Sequence, residues 1–255
     1  MRRKALAMVL LLCSIGPAGA RAQAAPAAPR DVREVFLALP VPAVSPGRPL
    51  LSRVAPLLAT RALRQAAWER GLSAGPGRAF VDTRNGYLEL CVLRPSTTTD
   101  CVSSVVLTYF VRGNGERLVV MQVGAPSAMR TEDHFWTLAG SRFTPVDGAR
   151  LLPALTYADF WGDHPLPRGM SPGFLRELGA LTISWPRQGT TAWAYVQPLD
   201  EGVTDQARAE RLIELYEQRR VSTLALVWDR RRGVFTKGRA MPYDPNGEEE
   251  HDHDH

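Results

Sequence analysis

Apolar and polar positions along this chain mostly alternate in short runs bounded by turn residues, and only two stretches carry a helical period. Ala79-Phe80-Val81, Tyr87–Leu93, Val105–Val111 and Leu118–Val123 are rich in β-branched and aromatic residues. Asn85-Gly86 and Gly113-Asn114-Gly115 are hairpin-turn signals between them. Turns at that spacing predict an antiparallel meander, and connections of hairpin length disfavour a doubly wound parallel sheet. His134-Phe135-Trp136-Thr137-Leu138 adds a further strand. A second block has strands Leu181–Trp185 and Thr191–Val196 about a Pro186–Gly189 turn. Val221–Trp228 and Gly233–Thr236 close it as a hairpin around an arginine-rich turn.

The helical stretches are Leu57–Arg70, with Pro56 in the first turn and Gly71 as the stop, and about Asp205 to Arg220. In the first, Leu57, Leu58, Ala62, Gln65 and Trp68 make one face, leaving Arg61, Arg64 and Glu69 to solvent. In the second, Thr204 is the N-cap and Ala209, Leu212, Ile213 and Tyr216 follow the i, i+3, i+4, i+7 pattern. Tyr157–Trp161 predicts one more helical turn. The expected fold class is therefore α+β: an antiparallel β-hairpin or meander sheet with a few packed helices. The globular region spans 50–243, as one unit or as two subdomains, 50–145 and 146–243.

The first 24 residues have a different pattern. Arg2, Arg3 and Lys4 precede the apolar run Ala5–Ile15, and Ala22-Gln23-Ala24 is a small-x-small cleavage site, which together predict a secretory signal peptide. Residues 25–49 form an Ala/Pro-rich lead-in whose patch Val35-Phe36-Leu37-Ala38-Leu39 is expected to dock as a short helix or edge strand. No apolar run beyond the signal is long enough to span a bilayer, so the expectation is a periplasmic or secreted protein that is not integral to the membrane.

Composition sharpens this reading. The 255 residues are 45% hydrophobic and 22% charged, enough for a core and against disorder over most of the chain. With 21 Gly and 20 Pro a helical bundle is disfavoured. The formal charge of +5 belongs largely to the precursor, since after cleavage 27 basic residues face 26 acidic ones. A nucleic-acid partner is accordingly not expected. Six of the acids lie in the tail 244–255, so the body carries 27 basic against 20 acidic residues, with Lys237 its only lysine. Arg230-Arg231-Arg232, with Lys237, Arg239 and Arg219-Arg220, read either as a solvated turn or as a patch for an anionic envelope surface or an acidic envelope protein.

Cys91 and Cys101 are the cysteines left after cleavage, an even pair in an oxidising compartment. They flank a polar turn, and a disulfide between them would close a short loop worth roughly 2–3 kcal/mol. No phosphate loop, dinucleotide fingerprint, zinc-protease helix or Gly-x-Ser-x-Gly elbow occurs. What remains is Asp163-His164 in a Pro/Gly-dense loop and the matching Asp133-His134 beside Phe135-Trp136. An Asp orienting a His is the pairing acid/base catalysis uses, and two such pairs together would make a hydrolytic or metal centre. In the tail, His251, His253 and His255 alternate with carboxylates, a tract able to chelate Zn²⁺, Ni²⁺ or Cu²⁺ while the imidazoles are neutral.

The order from Leu37-Ala38-Leu39-Pro40 through the helix to the hairpin sheet with Asp133-His134-Phe135-Trp136 resembles a family of uncharacterised secreted bacterial proteins of unknown function, over about residues 33–161. That resemblance implies no activity and assigns no residues. The expectation from sequence is an exported, non-catalytic accessory or binding module of the bacterial cell envelope. The alternatives are a periplasmic hydrolase using Asp133, His134, Asp163 and His164, and a weak metal binder acting through its tail.

Overall fold

A computed structural model describes residues 27–40, 58–70, 77–93, 101–125, 130–166, 181–197 and 214–244. The predicted signal peptide, the tail beyond Asp244, residues 25–26 and 41–49 of the lead-in and the first part of the Asp205–Arg220 helix lie outside the described residues.

Among the described residues, ten strands form two antiparallel sheets. The first holds β1 (Gly77–Asp82), β2 (Tyr87–Leu93), β3 (Cys101–Val111), β4 (Arg117–Ala125), β5 (Arg130–Ala139) and β6 (Arg142–Val146) in sequential order. The second holds β7 (Leu181–Ser184), β8 (Thr191–Val196), β9 (Val221–Asp229) and β10 (Val234–Pro242), again neighbour to neighbour. The described helices are short: α1 (Val32–Ala38), α2 (Arg61–Arg70) and α3 (Tyr157–Trp161), with one more turn over residues 214–217.

This corrects the fold class. The chain is β-rich rather than α+β, because strands do most of the covering that helices were expected to do. Strand alternation gives the first sheet two apolar faces. Leu88, Leu90, Val105, Leu107, Val119 and Met121 pack with Val35, Phe36 and Leu58 from the helical side. Phe110, Leu118, Val120 and Phe135 point the other way into a core shared with the second sheet's Leu224 and Leu226. The first sheet is thus the middle layer of three.

Local chemistry explains the elements. Asp31 caps α1, its Oδ1 accepting the N–H of Arg33 at 2.9 Å and of Glu34 at 3.1 Å. The Asn85-Gly86 turn joins β1 to β2 as expected. Gly86 has φ +71°, and a Cβ there would lie 2.6 Å from the Tyr109 ring, so both backbone and space require glycine. The expected face of α2 is wrong in one respect: Ala62 and Gln65 are exposed, while Arg64 is buried. Its guanidinium satisfies backbone carbonyls, Nη1 donating to Leu58 O at 2.6 Å and Nη2 to Leu37 O at 2.8 Å, which ties α2 to α1. Cys91 is buried and disulfide-bonded. The register sets Cys91 opposite Ser104 and Leu93 opposite Cys101, with an irregularity at Val92/Leu93; the Cys101 side chain lies outside what is described.

Burial raises the phenol pKa of Tyr87, Tyr157 and Tyr195, and for Tyr87 the neighbouring Glu89 carboxylate adds to it. The fold keeps these phenols neutral, whereas in the unfolded chain they ionise near pH 10. Their contribution is therefore complete below about pH 10 and is lost as the pH climbs toward the raised folded values. In an alkaline titration, phenolate absorbance from these tyrosines should rise together with the loss of circular dichroism. Smooth ionisation of every tyrosine near pH 10 with the fold intact would contradict this burial.

Candidate functional site

Of the four residues proposed for acid/base chemistry, Asp133 and His134 are turned away from each other. Asp133 and His134 are successive on β5, so their side chains leave opposite faces of the first sheet. Asp133 faces the second sheet, where its Oδ1 accepts from Trp185 Nε1 at 2.8 Å and from Gln122 Nε2 at 2.9 Å. Gln122 Nε2 also donates to Ile183 O at 2.7 Å. This polar knot pins β4 and β5 to the end of β7, where an apolar contact alone would fix no register. His134 is buried on the helical side and lies stacked beside Trp136 with ring centroids 6.2 Å apart. Asp163 and His164 follow Gly162 at the end of α3, one exposed and one half-buried, with His164 N–H donating to Trp161 O. Among the described residues, no group of three or more His, Cys, Asp and Glu is placed to hold a metal ion. His251, His253 and His255 lie outside the described residues.

Arginines converge instead. In the β9–β10 turn, Asp229 Oδ1 accepts from the N–H of Arg231 at 3.0 Å and of Arg232 at 2.9 Å, and Gly233, at φ +69°, donates its N–H to Asp229 O at 2.7 Å. Three consecutive arginines are thus carried through a tight turn whose backbone is held by Asp229 Oδ1. The β3–β4 turn is set by Arg112 N–H donating to Glu116 O at 2.8 Å and by Asn114 Oδ1 accepting Glu116 N–H at 3.1 Å. These tips belong to different sheets, yet they are joined. Gly113 N–H donates to Arg230 O at 2.8 Å, Arg230 Nε to Arg112 O at 3.3 Å, and Trp228 Nε1 to Val111 O at 3.0 Å. The Arg112 side chain passes over Gly233, where a Cβ would come within 3.1 Å of its Nε.

The result is one double tip bearing Arg112, Arg230, Arg231 and Arg232. Arg112 is half-buried and ion-paired with Glu116 at 3.6 Å, while the other three are exposed. Sequence spacing suggested the triplet but held no sign of Arg112, whose proximity comes from sheet-on-sheet packing. Arg219 leaves the expected patch: it is buried, its guanidinium held between the rings of Tyr216 at 3.7 Å and Tyr243 at 3.5 Å. Lys237 is engaged by Asp159 of α3.

No family model matches the chain, and no curated protein matches it. Among solved structures it is similar to a domain of an uncharacterized protein from Porphyromonas gingivalis W83, at 13% identity and a TM-score of 0.48, covering 81% of this chain and 97% of that one. A likeness of that strength assigns neither fold nor function. No helix among the described residues is long and apolar enough to cross a membrane.

Proposed function

We propose that this protein is a non-catalytic binding module of the bacterial cell envelope, with the double arginine tip as its contact surface. One observation carries the reading: like-charged side chains are gathered at a braced tip, while strand alternation sends Asp133 and His134 to opposite faces of the first sheet. A general acid or base must lie within hydrogen-bond reach of its partner, and Asp133 instead serves Gln122 and Trp185. The anionic partner foreseen from the arginine triplet fits the tip's charge.

The test is chemical crosslinking of the protein in envelope extract, comparing the unsubstituted chain with a His134→Gln/His164→Gln variant. Both should fold and capture the same target with equal yield. A hydrolytic turnover that disappears in the double variant would overturn the reading in favour of a catalytic site.

A further inference from the structure

We infer that the double tip docks on a phosphate-bearing anionic lipid surface; this rests on the binding-module reading and names what the module binds. Three features favour a headgroup layer over an acidic protein. The first is availability. Arg231 and Arg232 are exposed and form no ion pair among the described residues; Asp229 Oδ1 accepts their backbone N–H groups and Glu116 pairs with Arg112. The second is rigidity: the cross-sheet bonds from Gly113 and Arg230 fix the turn before contact, so little ordering is required on binding.

Shape is the third feature. The tip is the joined turns of two hairpins, and a stable protein interface needs about 800 Å² per partner with an apolar centre. Near the tip the large exposed apolar side chains among the described residues are two valines, Val111 and Val227, each at 38%, too little for such a centre. A headgroup layer makes no such demand. Each arginine near an anionic leaflet contributes on its own, and guanidinium matches phosphate in a bidentate manner.

The experiment is co-sedimentation with vesicles of phosphatidylcholine alone and of phosphatidylglycerol mixed with phosphatidylcholine in equal parts. All proteins should share one N-terminus, with circular dichroism confirming the fold of each. The protein should pellet with the anionic vesicles only, and less so as salt rises. Arg231→Ser/Arg232→Ser should weaken binding about 25-fold, roughly five-fold per arginine. Arg142→Ser/Arg150→Ser, which removes the same charge from exposed positions elsewhere, should bind as the unsubstituted chain does. Equal loss in both double variants would reduce the effect to net charge and overturn the inference. Failure to bind anionic vesicles, with tip-dependent crosslinking to an acidic envelope protein retained, would overturn the lipid partner and leave the binding-module reading standing. Failure of both vesicle binding and crosslinking would remove both.

Discussion

Asp133→Ala should destabilise the fold by about 3 kcal/mol, measured as a shift in the urea midpoint at constant slope. Its Oδ1 accepts from Trp185 Nε1 and Gln122 Nε2 between the two sheets. Gln122 keeps Ile183 O as a second acceptor, so Trp185 bears most of the loss. A buried donor stranded without a partner costs about 1–3 kcal/mol, and the pocket vacated by the carboxylate adds to it. Asp133→Asn retains an acceptor oxygen and should recover most of the stability. If Asp133→Ala instead left the midpoint unchanged while abolishing a turnover, Asp133 would be a reacting group and the sheet-joining role would fall.

The second large effect is expected at Trp161. It is 1% exposed in the shared core, stacks on Tyr157 with centroids 4.6 Å apart, and donates from Nε1 to Leu215 O at 2.7 Å. Trp161→Ala should cost about 3–5 kcal/mol, a large share of the about 5–15 kcal/mol that stabilises a typical domain. Trp161→Phe keeps the stack and loses the N–H, so about 1–2 kcal/mol is expected. Thermal melts of the two variants should differ widely; near-equal melts would mean that α3 is not anchored through this ring.

These positions show how far the sequence carried. Strand-forming runs and the Asn85-Gly86 and Gly113–Gly115 turns were legible because hairpins are local. β6 was not foreseen: Arg142-Phe143-Thr144-Pro145-Val146 carries a proline, which an edge strand accommodates. β10 runs past Thr236 to Pro242 through an irregularity between Lys237 and Ala240, which hides its period. The α+β expectation arose from Ala-, Leu- and Arg-rich runs of good helix formers, whereas the described helices reach at most ten residues. Arg64 looked solvent-facing because hydropathy scores its charge and ignores the carbonyls of Leu37 and Leu58 that receive it. For the site, Asp133-His134 looked like a pair because adjacency along a chain resembles adjacency in space. In a strand the two are opposites, and the bond from Gly113 to Arg230 links residues more than a hundred positions apart.

The β9–β10 hairpin holds its arginine turn at one end and, at the other, Tyr243, whose N–H donates to Arg220 O at 2.9 Å. Nine residues of strand separate these ends by about 30 Å. The arginine turn thus rides on a strut anchored at both ends, by Gly113 N–H to Arg230 O at one and by Tyr243 N–H to Arg220 O at the other.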